Sequence, residues 1–343
     1  MKKLGLTIFL FAITIQFGIG QHKELDSQAD FVIAFGSCNK QNNPQPFWEG
    51  ILQQNPNVFI WGGDIVYADS DDMNKIKNDY AIQNSNKGYQ KLKKSVPIMG
   101  TWDDHDFGKN DAGVEWEKKK ESQQLFLDFF GVPKNDPRRS QEGVYTSEVI
   151  EIEKGSIKVI TLDTRYFRSP LQRDFSEERR YMPYDNGEGT VLGEKQWQWL
   201  EQELENNFSD FLVIVSSIQF LSWEHGFETW GNFPHEVKKL KDLLVKKGVR
   251  NAIILSGDRH ISEFSMANIE GLKYPLIDFT SSGLTHSYSG YTGEPNQYRV
   301  GRVISSTSYG VLKFDLDAYT VTMQMVGDNN IVLQEYKKQY PKD

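Results

Sequence analysis

Short apolar segments of strand length alternate along the chain with amphipathic segments of helical length, which is the pattern of an α/β protein. The segments predicted as strands are 31–35, 58–63, 96–102, 143–152, 156–163, 211–220 and 251–260. The segments predicted as helices are 72–94, 194–206 and 237–247. Strands 143–152 and 156–163 are predicted to form a hairpin turning at Lys154 and Gly155. The alternating apolar positions of the C-terminal stretch predict a meander of strands.

Three segments interrupt this alternation. Residues 21–30 and 133–142 have the composition of linkers, and residues 164–192 form a long polar loop. Long loops within a domain are often functional. We therefore expect the loop 164–192 to contribute to a site.

The N-terminus has the features of a secretory signal. Lys2 and Lys3 precede an apolar stretch that ends in small residues before Gln21, and this order is typical of exported proteins. The stretch is too short for a confident membrane span. The sequence thus predicts a signal peptide over 1–20, a linker over 21–30 and one domain over 31–343. The protein is expected to be secreted or periplasmic, without stable membrane insertion.

Composition narrows the classes of protein. The 343 residues are 38% hydrophobic, 13% aromatic and 25% charged, which excludes a disordered, collagenous or multi-pass membrane protein. A net charge of -8 argues against a nucleic-acid partner, because binding the phosphate backbone needs a basic face. The single cysteine, Cys38, is either a small buried hydrophobic residue or a metal-bound thiolate.

Residues that bind metals follow several predicted strands directly. These segments are Gly36-Ser37-Cys38, Asp64-Ile65-Val66-Tyr67, Asp103-Asp104-His105-Asp106 and Asp258-Arg259-His260. Each segment alone is also compatible with an ordinary turn or an exposed loop. Ligands of open α/β sheets gather beyond the carboxyl ends of the strands, and adjacent carboxylates repel each other unless a cation or water relieves them. The recurrence of such endings favours a metal site.

The order of these motifs resembles a known family. GSC, GGDIVY, WDDHD, LDTRYFR, SSIQF and SGDRH, found between Phe31 and Gly283, are similar to the motifs of the PhoD-like alkaline phosphatases and phosphodiesterases. This family is a branch of the calcineurin-like metallophosphoesterases. Cys38 stands where the wider superfamily has an Asp-x-His pair, as in the PhoD branch. The resemblance implies an α/β fold, a metallophosphoesterase-like sandwich of two mixed β-sheets flanked by helices.

The resemblance also implies two kinds of metal. A ferric ion, Fe(3+), would be held by Cys38, Asp64, Tyr67 and His260. Calcium, Ca(2+), would be held next to it by Asp64 as the bridging residue, Asp104 and Asp258. The chemistry agrees with this division, because thiolate, phenolate and imidazole suit a transition metal whereas carboxylates suit a hard cation.

Further site residues are carried over from the same resemblance. His105 would protonate the leaving group or contact phosphate, and its neighbour Asp106 would fix its tautomer. Arg165 would bind phosphate through its forked guanidinium; its alternative is an ion pair with Asp163 or another nearby acid. The residues expected to line the site are Asp103, Asp106, Gln219 and His225.

The sequence therefore predicts a secreted, metal-dependent hydrolase of phosphate esters, monoesters or diesters, that uses a metal-activated water. One alternative is a phosphodiesterase of the phospholipase D type acting on lipid head groups or teichoic-type polymers. Aromatic residues that would suit such a substrate are Tyr184, Trp223, Phe227 and Trp230. Two further alternatives are a carbohydrate hydrolase using Asp103 and Asp106, and a non-catalytic module that binds phosphate or metal.

Overall fold

The computed structural model describes residues 29–176 and 178–342. The predicted signal peptide 1–20 and most of the predicted linker 21–30 lie outside the described residues. The strands are β1 Phe31–Gly36, β2 Val58–Gly62, β3 Ile98–Thr101, β4 Thr146–Ile152, β5 Gly155–Thr161, β6 Gln172–Arg173, β7 Tyr181–Met182, β8 Phe211–Val215, β9 Ala252–Ser256, β10 Ser262–Ala267, β11 Leu276–Ser281, β12 Arg299–Ile304, β13 Tyr309–Asp315, β14 Thr320–Val326 and β15 Val332–Gln339. The helices are α1 Trp48–Gln53, α2 Met73–Ser85, α3 Lys87–Ser95, α4 Asp104–Phe107, α5 Lys119–Phe129, α6 Gly193–Glu205 and α7 Pro234–Lys246. Short 3-10 helices occupy Pro137–Arg139, Trp230–Asn232 and Asp328–Asn330.

Two large mixed sheets form the centre of the molecule. The first has the strand order β15-β14-β13-β1-β2-β3, and the second has the order β12-β10-β11-β9-β8-β5-β4. In the first sheet β1, β2 and β3 run parallel, and in the second β5, β8, β9 and β11 run parallel. Each sheet therefore has a block of parallel strands whose carboxyl ends share one edge.

The alternation of β1 explains how the sheets pack. Phe31, Ile33 and Phe35 belong to the core between the two sheets, where Phe35 meets Phe279 of β11 with ring centroids 4.8 Å apart. Val32 and Ala34 belong to the opposite face, under helices α1, α2, α3 and α5. Successive side chains of a strand point to opposite faces, so an apolar strand with both faces covered sits inside a layered α/β structure. The predicted fold class is confirmed.

Most predicted elements are confirmed, with different ends. The helix predicted over 72–94 is two helices, because Asn86 leaves the helical conformation and its side chain caps α3 by accepting from the Tyr89 N–H at 3.0 Å. The strand predicted over 211–220 ends at Val215. The hairpin turning at Lys154 and Gly155 is present, with Ile152 paired to Gly155.

Two organisational predictions are corrected. Of the predicted C-terminal meander, β13, β14 and β15 are confirmed as consecutive antiparallel strands of the first sheet, whereas β11 pairs with β9 and β10 in the second. Residues 133–142 do not link domains, because Gln123 of α5 donates to the Arg138 and Gln141 carbonyls at 3.0 and 2.9 Å and so fixes the segment to the helix. Within the described residues, no helix combines the length and hydrophobicity needed to cross a membrane.

Candidate metal centre and substrate pocket

The parallel strands bring their terminal residues to one place. Cys38 follows β1, Asp64 follows β2, Asp104 follows β3 and Asp258 follows β9. The Cys38 thiol donates to Asp64 Oδ2 at 3.4 Å and to the Asp258 backbone carbonyl at 3.6 Å. Residues that are more than 200 positions apart in the chain thus meet at the junction of the two sheets, as the strand endings predicted.

The backbone at this junction is unusual. Cys38, Asp64, Asp258 and His260 have φ values of 58°, 51°, 66° and 55°. Non-glycine residues rarely adopt the left-handed region, and when they do they cluster at functional sites. At the turn before Asp64, Gly63 has φ 96°, and a Cβ there would lie 2.6 Å from the Asp103 side chain. The chain turns sharply at each strand end and directs these side chains inward.

One group of side chains combines sulfur, oxygen and nitrogen donors. The Tyr67 hydroxyl donates to Asp64 Oδ2 at 3.2 Å and lies 2.9 Å from His260 Nε2. The ligand atoms of Cys38, Asp64 and His260 all lie within 4.8 Å of one another. The four side chains predicted to hold the transition metal are therefore together.

A carboxylate-rich cluster adjoins these four side chains. Oxygen atoms of Asp103, Asp104 and Asp258 lie within 4.8 Å of one another, and Asp64 and Asp104 form a similar cluster with His105. Asp64 therefore belongs both to the cluster with Cys38 and His260 and to the cluster with Asp104, which is the position expected of a bridging ligand.

The pKa values of the side chains around Asp64 show that burial disfavours their charged forms. Burial, reinforced by the charge of Asp258, raises the pKa of the Cys38 thiol to about 12. Burial also raises the pKa of Asp64 and of Tyr67 above their usual ranges, and it lowers the pKa of His260 to about 4. Asp64 Oδ1 is buried without a hydrogen-bond partner. A bound cation would satisfy this oxygen and displace the thiol and phenol protons, so the donor set fits metal ions.

His105 lies on the wall of the pocket beside the carboxylates. Its Nδ1 is 2.7 Å from Asp69 Oδ1, and its ring stacks on Tyr67 with centroids 4.0 Å apart. Burial opposes its charge, but Asp64, Asp104 and Asp69 outweigh burial and raise the pKa of His105 to about 11. The prediction that Asp106 fixes the tautomer of His105 is corrected, because the carboxylate at Nδ1 is that of Asp69.

Asp106 has a structural role. Its two oxygens accept from the Val66 N–H at 2.9 Å and the Asp103 N–H at 3.0 Å, and burial raises its pKa to about 8. Asp103 and Asp106 are both 0% exposed. A glycosidase needs two carboxyl groups that face its substrate, and neither Asp103 nor Asp106 is among the residues that line the pocket described below.

Arg165 also has a different place from the one predicted. It is 0% exposed, its Nε donates to Asp103 Oδ1 at 2.5 Å, and its Nη1 donates to Glu228 Oε2 at 2.7 Å. Arg168 completes this group with Nε 3.0 Å from Glu228 Oε1. The prediction of a phosphate contact by Arg165 is corrected: its guanidinium holds buried carboxylates instead of facing the pocket.

Two other predicted site residues lie elsewhere. The Gln219 amide donates at 2.9 Å to both Glu263 Oε1 and Thr280 Oγ1, in a polar network between strands β10 and β11. The His225 Nδ1 accepts from the Phe227 N–H at 3.1 Å, and burial lowers the pKa of His225. Both side chains are engaged in these contacts, and neither is among the residues that line the pocket, contrary to the prediction.

The pocket itself has a volume of about 350 Å³. Its walls are Asp104, His105, Asn110, Asp111, Arg180, Phe227, Glu228, Asp258, Arg259, His260 and Tyr288. Of the aromatic residues proposed for a lipid substrate, Phe227 lines this pocket, whereas Trp230 is fully buried and Trp223 lines a separate cavity of about 250 Å³. Tyr184 stacks on Phe233 with centroids 5.2 Å apart.

Sequence reasoning missed several functional candidates. Asp69, Asp111, Glu228 and Arg180 all contact predicted site residues or line the pocket. Asp69 lies five residues after Asp64, so proximity in sequence was an available signal. Arg180 lies in the long polar loop 164–192, where a contribution was expected without a residue being identified. Glu228 has no local signal, since its partners are far away in the chain.

Comparisons with known proteins identify the family of the chain. The sequence model of the family described as PhoD-like phosphatase matches residues 33–308. Alkaline phosphatase D of Bacillus subtilis (strain 168) is 22% identical over 232 residues, which cover 60% of this chain and 40% of that protein. The matched region thus spans less than half of that relative.

Solved structures share the fold. A structure described as PhoD matches with a TM-score of 0.73 and 16% identity, covering 92% of this chain and 70% of that chain. A dimetal phosphatase from Danio rerio matches with a TM-score of 0.52 and 11% identity, covering 92% of this chain and 100% of that chain. The family match extends over most of the described residues and includes every strand end at the candidate metal centre. The chain belongs to the PhoD-like phosphatase family.

Proposed function

We propose that the protein is a metal-dependent hydrolase of phosphate esters. The observation that carries this proposal is the convergence of Cys38, Asp64, Tyr67 and His260 on one point, beside a pocket lined by Asp104, His105 and Asp258. Phosphate esters resist attack because their oxygens are negative, and a site that concentrates cations removes this barrier. Membership of the PhoD-like family supports the same chemistry.

The donor atoms support two different cations. We infer that Cys38, Asp64, Tyr67 and His260 hold a ferric ion, and that Asp64, Asp104 and Asp258 hold calcium. When bound, such cations neutralise the phosphoryl oxygens and lower the pKa of a coordinated water. The thiol and phenol favour the transition metal, and the carboxylate oxygens favour the hard cation.

His105 is the proposed proton donor. Asp69 holds its Nδ1, so the second ring nitrogen, Nε2, is the one that would give a proton to the departing alkoxide. The stacked Tyr67 ring restricts rotation of the imidazole. A positioned acid of this kind contributes about 10²–10⁴-fold to a reaction rate.

A phosphodiesterase of the phospholipase D type is a second candidate within the same chemistry. The observation that favours it is that Phe227 and Tyr288 line the pocket, where an apolar substituent would pack. We also propose that the chain is exported, on the strength of Lys2, Lys3 and the apolar stretch that follows. N-terminal sequencing of the protein recovered outside the cytoplasm would test this, since cleavage near residue 20 is expected.

The test of the activity joins metal analysis to turnover. The purified protein is expected to contain iron and calcium, and to hydrolyse p-nitrophenyl phosphate or bis(p-nitrophenyl) phosphate. Chelation should abolish hydrolysis, and addition of the two metals should restore it. Full activity in a chelated, iron-free protein would overturn the proposal. The ratio of the two activities decides between monoester and diester preference.

A further inference from the structure

The arginine predicted to bind phosphate is buried in ion pairs, so a different cationic side chain must be considered for this role. Two arginines line the pocket among the described residues, Arg180 and Arg259. Arg259 is 8% exposed, donates through Nη2 to both oxygens of Glu294 at 3.0 and 2.8 Å, and lies 4.1 Å over the Phe227 ring. The Arg180 side chain is 38% exposed. Of the two, Arg180 has the guanidinium that a substrate can reach.

A small hairpin brings Arg180 to the pocket. Strands β6 and β7 pair, with Arg173 opposite Tyr181. The hairpin is docked on Gly226, whose carbonyl accepts the Arg180 N–H at 3.1 Å and the Tyr181 N–H at 3.0 Å. Gly226 has φ 77°, and a Cβ there would lie 2.8 Å from Arg179 Cβ. This close approach holds the backbone of Arg180 against the pocket wall.

Asp111 links Arg180 to the predicted metal ligands. Its Oδ2 accepts from the Tyr181 hydroxyl at 2.6 Å and also forms an ion pair with Arg180 Nη2. Its backbone N–H donates to Asp104 Oδ2 at 2.7 Å. Oxygen atoms of Asp104, Asp111 and Glu228 lie within 4.8 Å of one another. Asp111 therefore contacts both the Arg180 guanidinium and the Asp104 carboxylate of the candidate metal centre.

We propose that Arg180 is the residue that binds the phosphoryl group of the substrate, and that Asp111 and Tyr181 position its guanidinium. A guanidinium carries five N–H donors in a planar fork. The bond to Asp111 engages one side of the fork and leaves donors for the terminal oxygens of a phosphoryl group, an acceptor that arginine matches in geometry and charge. The inference deepens the proposed function and rests on it.

Phosphate binding gives a test that does not require turnover. The metal-loaded protein would be titrated with inorganic phosphate by calorimetry, as wild type, Arg180→Ala and Arg180→Lys, with metal content measured in each sample. The Kd for phosphate is expected to rise about tenfold to a hundredfold in Arg180→Ala, because a hydrogen bond to a charged group is lost. Arg180→Lys should recover part of this loss. For p-nitrophenyl phosphate, KM should rise more than kcat falls.

The neighbouring exposed Arg179 provides the matched control. Arg179→Ala removes the same charge from the same hairpin and should leave the Kd for phosphate unchanged. Tyr181→Phe should raise the Kd about twofold to fivefold, and should have no further effect when combined with Arg180→Ala, as expected of a residue that acts through the guanidinium. Equal phosphate affinity in wild type and Arg180→Ala at equal metal content would overturn the inference. A wild-type protein that binds phosphate without hydrolysing esters would overturn the proposed function and leave the assignment of Arg180 to be decided by the Kd.

Discussion

Two groups of buried acidic residues lie side by side in this molecule and are compensated in different ways. In the first group, Asp103 and Glu228 are paired with Arg165, and Arg168 adds a second guanidinium. In the second group, Asp64 receives hydrogen bonds from the thiol of Cys38 and the phenol of Tyr67, which are neutral donors, and His105 is the charged side chain that favours its ionised form. The first group is paired with its own arginines. In the second group the pKa of Asp64 stays raised in spite of His105, so we expect this group to take cations from solution.

The difference predicts opposite responses to substitution. Removing one partner of a buried ion pair leaves an unpaired charge and costs about 3–5 kcal/mol of folding free energy. Removing a buried carboxylate whose charge is only partly compensated relieves a desolvation cost. A substitution in the first group should therefore destabilise the protein with or without metal, whereas the effect of one in the second group should depend on metal.

The largest effect is expected from Asp64→Asn. This substitution keeps the shape of the side chain and removes the charge shared by the two metal sites, so activity should fall to that of the chelated wild type. Iron and calcium contents, measured together with hydrolysis of p-nitrophenyl phosphate, check this result. Asp71→Asn, an exposed substitution nearby, is the control and should retain metal and activity.

Stability against pH sharpens the same comparison. The pKa of Asp64 is raised in the folded state. In chelated wild type, Asp64 therefore contributes to the free energy of unfolding below its ordinary pKa of about 3.9. This contribution is lost as pH rises through the pKa of the folded state. Chelated Asp64→Asn lacks this loss and should be the more stable protein at pH 8, measured by urea denaturation. With metals present the order should reverse. The same order in both conditions would show that cations do not compensate Asp64.

A somewhat smaller loss is expected from His105→Ala. Hydrolysis should fall by about 10²–10⁴-fold, because a positioned proton donor is removed, while the metal contents stay at the wild-type level. His235→Ala is a suitable control, since His235 lines a different surface groove. Unchanged turnover would remove the proposed acid role. Retained metal binding without any turnover in the wild type would indicate a binding module.

Arg165→Met tests the first group. Its loss leaves Asp103 and Glu228 without their shared cation, and the free energy of unfolding should fall by about 3–5 kcal/mol. The same fall is expected for the chelated and the metal-loaded protein. Arg138→Met breaks an ion pair with Asp136 in which the arginine is 34% exposed, and should have little effect on stability because solvent screens the pair. Equal costs at the two positions would contradict the assignment of Arg165 as an internal cation.

The sequence predicted the second group better than the first, for a physical reason. Cys38, Asp64, Asp104 and Asp258 each follow a recognisable apolar strand, so the rule for parallel strand ends places them together. The partners of Arg165 follow no such rule. Glu228 lies in a loop between β8 and α7, and only the tertiary structure shows that it neutralises Arg165 and Arg168. The role of Arg165 was consequently predicted from a motif. Its burial could not be predicted from the sequence, because it depends on these distant partners.

The fold shows the same division between local and long-range information. Continuous apolar runs identified β1, β2 and β9, since these strands are apolar on both faces. Such runs did not identify β10 and β12, whose polar residues alternate with few large hydrophobic ones. Arg180 illustrates the limit most clearly: the length and polarity of its loop indicated function, but the docking on Gly226 that aims it at the pocket depends on contacts from another segment.

The smallest effect that still separates the two groups is expected from Asp69→Asn. Asp69 touches His105 Nδ1 and lies at the edge of the second group, where its side chain is 44% exposed, so its loss should not change metal content or stability much. It should lower kcat by about tenfold to a hundredfold, as for other partners that orient a functional histidine, because the amide no longer accepts a charge-assisted hydrogen bond and the imidazole is less firmly oriented. KM should change little, which distinguishes this substitution from those at Arg180. Combined with His105→Ala it should have no further effect on kcat, since Asp69 acts only through the imidazole. An additive loss in the double variant, beyond that of the exposed control Asp71→Asn, would mean that Asp69 contributes to the second group directly, as one more carboxylate that depends on cations from solution.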